Sequence, residues 1–187
     1  MKFENFKRAR YNEPPYDLPS NPHLGFNRQG GSDISAHLPF LEYIASQCDA
    51  ITEFGTRDCY STAAFLAGCN GCVYSYDIVT TPSIEQLRNI TDKPCQWVFR
   101  QRSTIDPSLR IEESDLLFVD TLHTYDQVQA ELAQHADFVN RYIMFHDTVS
   151  FPDINRAIDE FMRGGKWKKV YEVRFNHGLL LIERDSY

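Results

Sequence analysis

Asp120, His123, His146 and Asp147 stand in two short polar runs, Asp120-Thr-Leu-His123 and His146-Asp-Thr148, each directly after an apolar stretch. An imidazole has an ordinary pKa of about 6.5, so His123 or His146 suits the removal of a proton from a hydroxyl near neutral pH. A second chemistry is written upstream. Ile51-Thr-Glu-Phe-Gly55 approaches a glycine, passes through Thr56 and Arg57, and enters a helix-like run near Ser61. Glycine lets backbone come close to a ligand, and the helix start offers free N–H groups. A second strand-like run then ends on Asp77. A carboxylate at the tip of the second strand of a βαβ unit is placed to hold the hydroxyls of a ribose. Together these residues point to a nucleoside-containing cofactor. The dehydrogenase form Gly-x-Gly-x-x-Gly fits poorly, because only one of its glycines is present.

The elements that must position these residues alternate along the chain. Strand-like runs fall at Ala50–Phe54, Val73–Asp77, Gln96–Arg100, Asp115–Asp120 and Tyr142–His146. Helical stretches fall between or after them at Ser61–Leu66, Ile84–Asn89, Tyr125–Val139 and Ile154–Met162. Apolar strands with intervening helices predict a parallel sheet covered on both faces. The end differs: Val170–Phe175, the turn Asn176-His-Gly178 and Leu179–Ile182 read as an antiparallel hairpin. Ser32-Asp33 offers capping oxygens to a first helix carrying Leu38, Leu41 and Ile44 on one face. Residues 1–32, with prolines at 14, 15, 19 and 22, read as an extended arm or lid, and 33–187 as one domain.

Glu53, Gly55, Thr56, Tyr60, Ser61 and Thr62 match the form Glu-x-Gly-Thr-x-x-Gly-Tyr-Ser-Thr. That form resembles the cofactor segment of class I S-adenosylmethionine-dependent methyltransferases, in their small-molecule O-methyltransferase branch. Cys59 stands at the second glycine of the form, and Arg57 where many members carry another. Leu116-Leu-Phe-Val-Asp-Thr-Leu-His-Thr-Tyr125 and Ile143-Met-Phe-His-Asp-Thr148 are similar to paired elements of a methyltransferase group near the sugar O-methyltransferases and cephalosporin-hydroxylase-like proteins. The resemblance spans roughly residues 33 to 184. It implies a Rossmann-like α/β methyltransferase sandwich, with a mostly parallel seven-stranded sheet and a C-terminal antiparallel hairpin.

For function, the resemblance implies methyl transfer from S-adenosylmethionine to a small-molecule acceptor, a hydroxyl of a sugar or related metabolite. Cofactor contacts are expected from Glu53, Gly55, Thr56, Arg57, Ser61, Asp77, Ile78 and Asp120. After the third strand, Ser103 or Thr104 would hydrogen-bond the adenine and Arg102 would stack on it. Catalysis falls to His123, His146 and Asp120. Metal-dependent relatives bind magnesium through a strand-four aspartate and a pair after strand five. Asp120 and Asp147 match two of those positions, with Thr148 at the third, which makes Mg2+ a candidate cofactor.

Competing assignments come from the same residues. Cys59, Arg102 and Thr148 would suit a cofactor fold that serves as a binding or assembly module without catalysis. Asp120, His123, His146 and Asp147 would suit a metal-dependent hydrolase, although no recognised zinc spacing is present. His146 could instead fix the Asp147 loop, and Asp120 could cap the helix starting near Tyr125. His37 reads as a rim or capping residue; His135 and His177 read as surface or packing residues. Cys69-Asn-Gly-Cys72 reads as a turn, since no second cysteine pair follows.

The chain has 187 residues, 42% hydrophobic and 24% charged, with net charge −7. An acidic balance argues against a nucleic-acid partner. The Arg163–Lys169 basic stretch reads as a solvated helix end. No apolar run is long enough to span a membrane, and no secretion signal is visible in Met1–Tyr16. Five cysteines without framework spacing fit a reduced, cytoplasmic setting. Oligomeric state is left open, homo-oligomers included.

Overall fold

The computed structural model describes residues 32–90 and 96–185. Apart from Ser32, the expected arm lies outside the described residues. Strands β1 (Ala50–Phe54), β2 (Cys72–Asp77), β3 (Trp97–Gln101), β4 (Ser114–Val119) and β5 (Val139–His146) pair in parallel. Strands β6 (Trp167–Val173) and β7 (Leu179–Arg184) form the antiparallel hairpin, and β7 pairs with β5. The seven-stranded order is β3-β2-β1-β4-β5-β7-β6.

Helices α1 (Leu38–Ala45), α2 (Tyr60–Gly68) and α3 (Pro82–Arg88) cover one face, and α4 (Tyr125–His135) and α5 (Pro152–Met162) the other. Successive strand residues point to opposite faces, which explains why Leu116-Leu-Phe-Val119 is apolar throughout. Leu116 and Phe118 pack with Leu41, Phe65 and Ile84, while Leu117 and Val119 pack with Val128, Leu132 and Ile158. Local signals set the helix starts. Thr81 and Thr124 turn their hydroxyls back to accept from Ile84 N and Gln127 N, and Pro82 and Pro152 open α3 and α5.

Several boundaries differ from the sequence expectation. The Tyr125–Val139 helix ends at His135, passes through a 3-10 turn at Ala136–Phe138, and β5 begins at Val139. Two interactions explain this: Val139 pairs with Ser114 on β4, and the Arg184 guanidinium donates to the carbonyls of Ala136 and Val139. Ser32 and Asp33 do not cap α1. A 3-10 turn at Ser35–His37 intervenes, and the Ser32 hydroxyl donates to its neighbour Asp33. The hairpin starts earlier than expected, at Trp167, whose ring is buried while Lys168–Glu172 lie exposed along the sheet edge. Among the described residues no helix is long and apolar enough to cross a membrane.

Candidate active site

Strand order reverses between β1 and β4, which opens a crevice beyond their carboxyl ends, the place where open α/β sheets hold ligands. Gly55 and Asp120 meet at its edge in backbone contact. Gly55 has φ +88°, and a Cβ there would sit 2.0 Å from the Asp120 carbonyl oxygen. No side chain fits. Arg57 (φ 42°) and Cys59 (φ 60°), which stand where the resembled motif has glycines, adopt left-handed backbone all the same. The turn therefore keeps its path without those glycines, at a strain cost of about 1–2 kcal/mol per residue.

The Asp77 carboxylate ties this turn to β2. Its Oδ2 accepts from Thr56 N (2.9 Å) and Arg57 N (3.0 Å), and its Oδ1 from Val79 N (3.0 Å). An ionised carboxylate offers roughly four acceptor positions, so about one remains for a ribose hydroxyl. Glu53 lies beneath the turn, fully buried, and accepts from Ser61 Oγ (2.5 Å), Thr62 Oγ1 (2.8 Å) and Ser75 Oγ (2.5 Å). Burial pushes its carboxyl up to about 7 despite these donors. Glu53 and Ser61 thus build the turn from below. A cavity of about 160 Å³ opens above it, bordered by Gly55, Thr56, Arg57, Tyr60 and Asp120.

The segment after β3 departs from expectation. Thr104 is buried, and its hydroxyl donates to Glu131 Oε1 (2.5 Å), an oxygen shared with Gln127 and Thr121. Its carbonyl meets His135 Nε2 at 2.7 Å, so His135 is an interior residue. Arg102 pairs with Asp106 (2.9 Å) and donates to Ser108. Thr104 therefore turns inward, while Arg102 and Ser103 stay half-buried at that edge.

Across the crevice, β4 and β5 deliver the histidine–aspartate cluster. His123 Nε2 lies 2.8 Å from Asp147 Oδ2 and 3.5 Å from Asp120 Oδ1; His146 Nδ1 lies 3.3 Å and 3.5 Å from the same two oxygens. Phe151 stacks on His123 with centroids 4.3 Å apart. Asp147 holds a left-handed backbone, φ 61°. Burial opposes charge on both imidazoles, yet the two carboxylates outweigh it and push His123 up to about 9 and His146 to about 10. In return the imidazoles hold Asp120 down to about 2, and Asp147 below the usual carboxylate range, against the effect of burial. His123 is therefore charged at neutral pH in this arrangement. Asp120 does not cap α4, a role Thr124 fills.

Two further histidines reach the site. His37 is buried edge-on to His146 (5.5 Å), with Nε2 3.1 Å from the Asn176 carbonyl. His177 Nδ1 lies 3.7 Å from Asp147 Oδ1 and 2.7 Å from Ser150 Oγ. One sequence signal does foretell His177. Because β7 runs antiparallel from the end of β5, pairing Leu179 with His146, the preceding turn must land beside the His146-Asp147 rim.

Asp120, His146 and Asp147 each direct one donor atom into a shared space, all within 4.8 Å of one another. The set fits a divalent cation, but one donor is nitrogen, which magnesium disfavours. Thr148, aligned with a third ligand, is instead buried against Gly178 with no hydrogen-bond partner for its hydroxyl.

The fold is similar to that of known structures. A proposed O-methyltransferase from Klebsiella pneumoniae matches with a TM-score of 0.64 at 12% identity, over 98% of this chain and 90% of that one. The N-methyltransferase NodS from Bradyrhizobium japonicum WM9, solved with S-adenosyl-L-homocysteine, matches at 0.60 and 13% identity, over 98% of both chains. This chain has the class I methyltransferase fold. Magnesium protoporphyrin IX methyltransferase (ChlM) from Synechocystis PCC 6803, solved with the same product, shares this methyltransferase fold at 0.58 and 12% identity, over 97% of this chain and 94% of that one. No protein-family model and no curated protein sequence matches the chain.

Proposed function

We propose that this protein transfers a methyl group from S-adenosylmethionine to a hydroxyl of a small-molecule acceptor, a sugar or related metabolite, in the cytoplasm. One observation carries the reading: the Gly55 turn, tied to Asp77, borders one cavity with Asp120, which belongs to the His123–His146–Asp147 cluster. Asp77 would accept a ribose hydroxyl, and the turn's backbone at Thr56 and Arg57 would help to hold the cofactor. Ile78 and Leu122, exposed at 68% and 64%, give the adenine apolar surface, with Ser103 at its edge. Bound S-adenosylmethionine would supply the methyl carbon to the acceptor oxygen, its sulfur taking the electron pair of the broken carbon–sulfur bond. His123 in its neutral form takes the hydroxyl proton, while His146 and Asp120 fix the charge around it. The two aspartates hold His123 charged up to about pH 9, so proton acceptance requires their charge to be offset or the pH to be raised.

Label transfer from methyl-labelled S-adenosylmethionine to a panel of hydroxylated metabolites tests the reading across many acceptors at once. Transfer is expected to at least one class, and His123→Ala should lower it by roughly 10²–10⁴-fold. Equal transfer by wild type and a folded His123→Ala protein would remove His123 from the reaction.

A further inference from the structure

We infer that Glu131, buried on α4, is a positioning residue for the cofactor cavity: one of its carboxyl oxygens fastens the segments after β3 and β4 to the same point of the helix. The inference rests on the cofactor reading above. Glu131 is 0% exposed, and its Oε1 accepts from Thr104 Oγ1 (2.5 Å), Gln127 Nε2 (2.7 Å) and Thr121 Oγ1 (2.8 Å). Its Oε2 is buried without a hydrogen-bond partner. Burying a carboxyl is costly, and here burial pushes its pKa up against all three donors. Leucine would fill the same space without that penalty, so the bonds converging on Oε1 are what the carboxyl adds.

The two threonines lead to two parts of the cavity lining. Thr121 follows Asp120, which borders the cavity, and precedes Leu122 and His123. Thr121 N lies 3.5 Å from where a Gly55 Cβ would stand, so a shift of Thr121 moves backbone packed on the Gly55 turn. On the β3 side, Gln127 Nε2 also donates to Thr104 Oγ1 (3.0 Å), and His135 Nε2 meets the Thr104 carbonyl at 2.7 Å. Residues four apart share a helix face, so Gln127, Glu131 and His135 hold Thr104 as one row. Two residues before it, Arg102 N donates to the Asp77 carbonyl (2.8 Å), and the Asp77 carboxylate holds Thr56 N and Arg57 N. Glu131 thus acts on the cavity through Thr104 and Thr121, by setting how far apart the two segments stand.

Calorimetric titration of the full chain with S-adenosylhomocysteine, alongside amide hydrogen exchange, tests this. Thr121→Val should weaken binding about three- to tenfold and Glu131→Leu at least about tenfold. Glu131→Gln keeps an acceptor oxygen in place and should bind within about threefold of wild type. Exchange at 102–104 and 120–123 should quicken in Glu131→Leu, and at 120–123 in Thr121→Val, while β1, β4 and β5 keep their protection. If Glu131→Leu does not fold, the half-buried and near-isosteric Thr121→Val decides the matter. Wild-type affinity and exchange in folded Thr121→Val, or a Glu131→Gln protein as weak as Glu131→Leu, would overturn the inference and leave the cofactor reading intact. A wild type that binds no S-adenosylhomocysteine at millimolar concentration would overturn the cofactor reading, and this role for Glu131 with it.

Discussion

Gly55 is the residue with the least freedom in the site. Its left-handed backbone and the Asp120 carbonyl 2.0 Å from any Cβ leave alanine no place to sit. Gly55→Ala should therefore destabilise the protein by about 3 kcal/mol or more, read as a drop in chemical-denaturation midpoint; a loss under about 1 kcal/mol would mean that the β1–β4 crevice is looser than described. The polar residues at the ends of β1, β2, β4 and β5 are legible in the sequence because each terminates an apolar run. Side-chain direction is not. Thr104 sits at a strand end like the others, yet its hydroxyl turns inward because Glu131 on α4 needs a buried donor. Glu53 can be placed by alternation: it shares the face of Ile51, which looks toward α2 and its Ser61 and Thr62 hydroxyls.

At the level of elements, the turn between β1 and α2 is where strain and burial meet. Arg57 is exposed and left-handed, and its ion pair to Asp33 is long at 3.5 Å. Arg57→Gly should relieve the backbone and raise stability by about 0.5–1 kcal/mol, measured by thermal or urea unfolding; a loss of stability would show that the arginine contributes more than its contacts indicate. Glu53, beneath the same turn, ties stability to pH. Its folded pKa of about 7 lies above the ordinary 4.5, so the folded state holds the proton more tightly. Its contribution is full below pH 4.5 and is lost as pH rises through 7, by an amount on the order of 3 kcal/mol. Relative to Glu53→Gln, wild type should lose melting temperature across that window. Parallel profiles for the two proteins would contradict a buried, titrating Glu53. The end of α4 shows why helix limits are hard to read from sequence: the apolar stripe continues through Val139, but pairing with β4 and the Arg184 contacts claim that residue for β5.

For the molecule as a whole, the alternation of apolar strands with helices is enough to give the layered sheet, because parallel strands buried on both faces leave a distinctive pattern. Bringing separate elements onto one rim is harder to foresee. Asn176-His-Gly178 looks like an ordinary hairpin turn in the chain. The antiparallel return of β7 beside β5 carries it to Asp147, and the contact of His37 with Asn176 joins the start of the domain to the same place. The central claim is that the cavity bordered by Gly55, Thr56, Arg57 and Asp120 holds S-adenosylmethionine, and titration calorimetry with S-adenosylhomocysteine tests it most directly. One site per chain should be seen, with Asp77→Ala weakening it by about 1–3 kcal/mol, since a ribose hydroxyl loses its charged acceptor. Absence of binding at millimolar product, or binding unchanged in a folded Asp77→Ala protein, would contradict the account.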